Sequence, residues 1–373
     1  MIYLDNAATS FPKPRCVLRA LDECVRKYCG NPGRSAHTLS LKSSEKIYDT
    51  RVCIAELLNY QNPENVVFTL NATYALNLAI KTTVKKGEHV IISDIEHNSV
   101  VRPLEALREK GVIEYSVFRA DKRLEDEIPS LIKNNTSCIV SSIVSNVTGE
   151  EIFLKQLSNL KQKYNLKLIV DASQAIGHKK IDLSESPVDV LCAPSHKALF
   201  GIQGAGFSVF CDNIIRESFI EGGSGSELFN PRMPVLLPEH FEAGTLPTPA
   251  IVSLQEGVEF INEVGIENIQ ERLSAYTEYL KDGLSEISGV SVVSGNLGII
   301  SFIHKTIPSN LIAEFLNSQG VAVRSGSHCA PLIHERIGTY KGGTVRVSLS
   351  YLNKKREIQS FLKILASIIK SYS

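Results

Sequence analysis

Through the first two-thirds of the chain, short β-branched runs alternate with stretches whose apolar residues recur at helical spacing. The run at 65–69 (NVVFT) leads into a helix from about Ala72, and the run at 89–93 (HVIIS) into another through Pro103 and Leu107. Residues 137–144 form a third run, followed by Ile152, Phe153, Leu157, Leu160 and Tyr164 on one helical face. Further runs lie at 166–170, 188–192 and 206–210. Nearly continuous apolar strands separated by helices predict an α/β fold with a mainly parallel sheet covered on both faces. Such sheets hold ligands at the carboxyl ends of their strands. Beyond about Ala250 the texture changes. Helical stretches over 251–263 and 269–287 lead to strands near 290–293 and 298–303. A helix over 309–319, extended segments at 321–324 and 344–350, and a closing helix from Asn353 complete a second, smaller α+β unit.

Composition narrows the function classes. Hydrophobic residues make up 43% of the 373 positions, enough for a large buried core. Lys and Arg total 40 against 40 Asp and Glu, so no basic excess points to nucleic acid or to an anionic membrane. No stretch approaches the ~18 apolar residues of a membrane span, and the opening MIYLDNAATS is not a charged-then-apolar leader. A cytoplasmic protein is expected. The eight cysteines form no CxxC pair and no Cys/His cluster at zinc spacing, so neither a disulfide framework nor a metal is expected. Several, such as Cys138 and Cys192, lie in apolar runs, where a reduced cysteine acts as a small hydrophobe.

The chemistry lies just past the strands. Asp171 follows the run LKLIV, and Lys197 follows VDVLCA within PSHK, with a glycine-rich stretch at 201–206 behind it. A carboxylate fixed at a strand end can hold a heteroaromatic nitrogen protonated, and a lysine can bond covalently to an aldehyde. Pyridoxal phosphate needs that pair, an anchor and a counter-ion that makes its ring an electron sink. An isolated aspartate and lysine are more often a helix cap and a surface charge, and spacing alone leaves both readings open.

The motifs go further. The chain resembles the class V, fold-type I pyridoxal-phosphate enzymes and, among them, the cysteine desulfurase / selenocysteine lyase family. The likeness runs through YLDNAAT (3–9), GNPGRSAHTLS (30–40), NAT-x-ALN (71–77), EHNS (96–99) and SNVTGE (145–150). It continues through VDASQAIGH (170–178), SHK-x-LFG-x-QG-x-G (195–206), EAGT-x-x-TPAI (242–251), RSGSHCA (324–330) and TVRVSL (344–349). The short cysteine loop is similar to that of the second desulfurase group. GGSGSE (222–227) is closer to a less characterised subgroup. The resemblance implies a seven-stranded-type sheet in a large cofactor-binding domain over 16–250. Residues 1–15 and 251–373 would form the small domain that carries the cysteine loop.

Residue by residue, the resemblance implies pyridoxal 5'-phosphate anchored on Lys197, which also moves the substrate α-proton. His97 would stack on the cofactor ring, Asp171 would pair with its ring nitrogen, and Gln174 would bond its hydroxyl. Ala72, Thr73 and His196 would receive the phosphate. The family often has Ser or Thr three residues before the lysine; here Pro194 stands there, with Ser195 one residue on as the candidate hydroxyl. Thr245 would reach the phosphate of a second subunit, which implies a homodimer with shared sites. Arg346 would grip the substrate α-carboxylate, a role that suits bidentate guanidinium geometry, with Asn146 and Arg34 lining the same pocket. Cys329 matches the nucleophile, and Arg324 and His328 beside it are expected to favour its thiolate.

The implied activity is removal of sulfur from L-cysteine, giving L-alanine and a Cys329 persulfide that passes to an acceptor protein or thiol. Selenocysteine lyase or cysteine-sulfinate chemistry, with L-selenocysteine as a possible substrate, is the nearest alternative. Another class V aminotransferase or epimerase, with Cys329 incidental, is a second. A catalytically silent binding partner is a third, opposed by the joint presence of Lys197, Asp171, His97, Arg346 and Cys329.

Overall fold

A computed structural model describes residues 1–33, 35–211, 216–227 and 229–372. The chain opens with β1 (Ile2–Tyr3), α1 (Arg15–Lys27) and α2 (Thr38–Leu57). Strands and helices then alternate: β2 (Val66–Thr69), α3 (Ala72–Thr83), β3 (His89–Ser93), α4 (Asn98–Glu109), β4 (Glu114–Phe118), α5 (Leu124–Leu131), β5 (Thr136–Ser142) and α6 (Leu154–Tyr164). Three strands follow, β6 (Lys167–Asp171), β7 (Val190–Pro194) and β8 (Gly206–Phe210). The last third runs α7 (Thr248–Val264), α8 (Ile266–Ser285), β9 (Val290–Asn296), β10 (Ile299–His304), α9 (Ser309–Ser318), β11 (Val321–Ala322), β12 (Arg324–Gly326), α10 (Pro331–Arg336), β13 (Thr344–Ser348) and α11 (Lys355–Tyr372).

The seven-stranded sheet has the order β2-β8-β7-β6-β5-β3-β4, and only β8 runs against its neighbours. Its inner strands are buried on both faces. Ile91 of β3 packs into one core cluster while Val90 and Ile92 pack into the other, as the alternation of side chains along a strand requires. The C-terminal domain is built on an antiparallel sheet, β12-β13-β10-β9. The N-terminal segment joins the two. β1 pairs in parallel with β11, and Asn6 bonds to Ser348 and Asn353. A few residues on, Thr9, Ser10 and Lys13 all donate to the His196 carbonyl beside Lys197.

The predicted strands and helices appear, most with ends shifted by one to three residues. The expected segment over 321–324 is two strands. β11 pairs with the N-terminus and β12 pairs with β13, so the backbone changes partner between Ala322 and Arg324. Hydrophobic periodicity misses α2 because half of its buried residues are polar. Ser40, Ser43, Thr50 and Arg51 are buried there beside Ile47 and Ile54. Ser40 and Ser43 donate to the Asn31 and Tyr28 carbonyls, at 2.7 Å each. It also misses β4, an edge strand that is only partly covered. Among the described residues no helix is long and apolar enough to cross a membrane.

Candidate active site

Asp171 is the last residue of β6 and pairs with Cys192 of β7; Lys197 lies just past the end of β7. Parallel neighbours therefore deliver the acid and the lysine to the same end of the sheet, where a cavity of about 210 Å³ opens. Its walls bring together Ala72, Thr73, His97, Asn146, Asp171, Gln174, His196, Lys197 and Arg346, residues spread over 275 positions of sequence from Ala72 to Arg346 (counted inclusively).

One wall is the start of α3. Asn71 caps the helix, its Oδ1 accepting from the Tyr74 amide at 2.9 Å, and the first amides behind it have no acceptor within the helix. β8 lies against this turn because Gly206 has no side chain. A Cβ there would fall 2.6 Å from the Asn71 carbonyl carbon and 2.9 Å from the Ala72 nitrogen. The Thr73 hydroxyl meets that of Ser99 at 2.8 Å, and Ser99 in turn meets His97 Nδ1 at 2.8 Å. Ser99 is thus a site residue that sequence reasoning passed over, although it closes the EHNS motif. Asn71, Ser142 and Ser173 also line the cavity and were not singled out.

The electrostatics suit an anionic, aldehyde-bearing ligand. Lys197, Arg324 and Arg346 face one carboxylate, Asp171. Burial lowers the free Lys197 ammonium to about 8, against the opposing pull of Asp171, so a useful fraction is neutral amine near neutral pH. Burial, with Lys197 second, lowers His97 and His196 to about 4, so both rings are neutral. Asp171 is buried and its Oδ1 accepts from the Ser173 amide at 2.9 Å. Gln174 is oriented by donating to the Ala7 carbonyl at 3.0 Å. Three buried polar atoms of the cavity residues have no partner: His196 Nδ1, Asn146 Oδ1 and Arg346 Nε.

Arg346 lies in the middle of β13, almost fully buried, with Nη2 2.7 Å from Asp5 Oδ1 and Nη1 2.9 Å from the Asn146 carbonyl. It faces Arg324 across the β12–β13 pair. Arg324 Nη2 in turn stands 3.5 Å from Cys329 Sγ, which places the half-buried thiol beside the cavity wall. Asn146 donates through Nδ2 to the His328 carbonyl at 2.8 Å. It therefore both lines the cavity and holds the cysteine loop.

Some expectations change. Ser195 does not join the cavity wall. Its hydroxyl turns into the glycine-rich stretch and donates to the Ile202 carbonyl at 3.0 Å. A side chain at Gly201 would collide with that hydroxyl. His328 does not act on the thiol as a cation. Burial holds it neutral, and its Nε2 faces the Thr344 hydroxyl at 3.0 Å. Thr245 is exposed and outside this cavity. Arg34 lies outside the described residues.

The chain was compared with known proteins as a whole. The Aminotransferase class-V family matches residues 2–361. A probable cysteine desulfurase of Methanothermobacter thermautotrophicus is 32% identical over 98% of this chain and 94% of its own. A cysteine desulfurase of Wigglesworthia glossinidia brevipalpis is 29% identical over 99% and 93%. Among solved structures, the apo cysteine desulfurase of Thermococcus onnurineus superposes with a TM-score of 0.91 at 27% identity, covering 99% of this chain and 95% of that one. The chain belongs to the class V aminotransferase family, on the branch that holds the cysteine desulfurases.

Proposed function

We propose that this protein is a pyridoxal-phosphate-dependent cysteine desulfurase that takes sulfur from L-cysteine onto Cys329 and releases L-alanine. The observation that carries the reading is the meeting of Lys197, Asp171 and Arg346 in one cavity with Cys329 at its edge. The residues present suit the cofactor. Lys197 supplies the covalent anchor, Asp171 the partner for the ring nitrogen, His97 a neutral ring surface, and Gln174 a donor for the ring hydroxyl. Thr73, His196 and the first amides of α3 receive the phosphate. Bound there, the cofactor supplies a covalent link to the substrate amino group and a sink for electrons from the α-carbon.

The chain's own residues do the rest. Arg346 orients the substrate through its carboxylate. Lys197 takes the α-proton and returns it, a task suited to an amine that burial keeps near neutrality. Cys329 then attacks the substrate sulfur as thiolate, paired with Arg324. The new bond joins Cys329 Sγ to that sulfur as the bond from sulfur to the substrate β-carbon breaks. The carbon keeps the electron pair and takes a proton, which leaves alanine and a persulfide, with no external oxidant or reductant. We further propose a homodimer in which exposed Thr245 completes the partner's phosphate site. A protein or small thiol would take up the persulfide sulfur, in a reducing cytoplasm of the kind that keeps buried thiols such as those of Cys138 and Cys192 reduced.

The test is alanine and sulfide production from L-cysteine in the presence of a reducing thiol, for wild type and Cys329→Ala. Wild type should form both products, and the variant should bind cofactor yet form neither. Equal activity of the two would remove Cys329 from the reaction, and inertness of both on cysteine would remove the desulfurase reading.

A further inference from the structure

The cysteine loop is held in an uncomfortable shape. His328 and Cys329 both have left-handed backbone, with φ of 50° and 60°, a region that residues with side chains occupy only under constraint. Two loops of the large sheet supply clips. The Asn98 amide, at the start of α4 where the loop after β3 ends, donates to the Cys329 carbonyl at 2.7 Å. Asn146, from the turn after β5, donates to the His328 carbonyl at 2.8 Å.

The same two loops seize the chain again just beyond the cysteine. α10 begins two residues after Cys329 and ends at Arg336, whose side chain is only 9% exposed. Its Nε lies 3.1 Å from Asp94 Oδ2, in the loop after β3 that leads to Asn98. Nη1 donates to Glu150 Oε1 at 3.1 Å and Nη2 to Glu150 Oε2, in the turn that carries Asn146. Asp121 Oδ1 stands 3.7 Å from Nη1. Asp94 spends its other oxygen on the Ala120 amide at 3.1 Å, which ties the loops after β3 and β4 together under the guanidinium. A forked guanidinium–carboxylate pair fixes direction as well as distance. Arg336 therefore repeats, at the far end of the cysteine loop, the grip that Asn98 and Asn146 have on its near end.

We propose that Arg336 is a positioning residue for the sulfur-transfer step, bracketing the Cys329 loop against the large sheet so that the thiol stays beside Arg324 and the cavity. The proposal rests on the reading of Cys329 as sulfur acceptor. Nothing in it touches cofactor or cysteine, so it separates the rate of transfer from binding.

The test uses the full-length, cofactor-loaded enzyme as wild type, Arg336→Gln, Arg336→Lys and Glu150→Gln. Two readouts are taken beside the visible cofactor band: the rate of iodoacetamide alkylation at Cys329, followed by peptide mass spectrometry, and kcat and KM for alanine formation. Arg336→Gln should speed alkylation at least fivefold and lower kcat at least tenfold, with KM within twofold and the band intact. Arg336→Lys and Glu150→Gln should fall between it and wild type. Alkylation and kcat both within twofold of wild type in a folded Arg336→Gln would overturn the proposal, as would loss of the cofactor band in step with kcat. Should Arg336→Gln fail to fold, unchanged alkylation in Glu150→Gln and Arg336→Lys overturns it equally. If wild type forms no alanine, the desulfurase reading falls. The alkylation rates, which need no turnover, still decide whether Arg336 holds the loop.

Discussion

Arg346→Lys tests the substrate end of the cavity most directly. A guanidinium has five N–H groups. Asp5 Oδ1 and the Asn146 carbonyl take one each, at 2.7 and 2.9 Å. The remainder, including the buried and unpartnered Nε, are left for an incoming carboxylate. A lysine at this position keeps a cation opposite Asp5 but loses the planar fork. Hydrogen bonds to a charged group contribute about 1.5–3 kcal/mol each, so losing two costs about 3–6 kcal/mol. At ~1.4 kcal/mol per decade, that is roughly a 10²–10⁴-fold loss in kcat/KM. The assay is alanine formation across a range of L-cysteine concentrations, with the visible cofactor band as a control for loading. The variant should load normally and show a KM raised well beyond tenfold. The matched control is cysteamine, which lacks the carboxylate. The spectral change on its binding should report nearly equal affinities for wild type and variant. A KM for cysteine within twofold of wild type, or an equal loss with cysteamine, would refute the assignment of Arg346 to the carboxylate.

Lys197→Ala should give folded protein without the yellow band of lysine-anchored cofactor, and a normal visible spectrum from that variant would move the anchor elsewhere. Glu96 offers a test of pH-dependent stability. It is fully buried, accepts from the Ser142 amide at 2.7 Å and its hydroxyl at 2.8 Å, and burial raises it to about 8. An unfolded glutamate ionises near 4.3, so between there and about pH 8 the folded chain holds a proton that the unfolded chain has released. Stability falls as pH rises across that window, by up to about 1.4 kcal/mol per unit from this group. Glu96→Gln, which mimics the neutral acid, should flatten that slope in urea unfolding between pH 5.5 and 8.5. Parallel slopes for variant and wild type would show the carboxyl ionised in the folded state.

Hydrophobic periodicity made the alternating strands and helices legible, because the inner strands are buried on both faces and leave nearly unbroken apolar runs. Local motifs likewise marked Asp171, Lys197, Cys329 and Arg346, whose residue types carry their chemistry wherever they are placed. α2 escaped because half of its buried residues are polar, Ser40, Ser43, Thr50 and Arg51, whose partners are the Asn31, Tyr28 and Lys46 carbonyls and Glu242, and burial of that kind leaves no clear apolar rhythm. Ser195 was misread for a related reason. A hydroxyl two residues before Lys197 can face either the cavity or the loop behind it, and the close approach of Gly201 decides for the loop.

The sequence by itself determined the parallel-sheet frame, the end of the sheet where chemistry collects, and the residues able to perform it. Only the tertiary structure decided how those residues are aimed. Arg346 is aimed by Asp5, at the other end of the chain, and by the Asn146 carbonyl, which hold two of its donors. Cys329 stands at the cavity because loops after β3 and β5 hold its strained backbone, and the same loops grip Arg336. Side-chain type is a local property that a sequence states outright. Direction is set by partners hundreds of residues away, and their proximity exists only once the chain has folded.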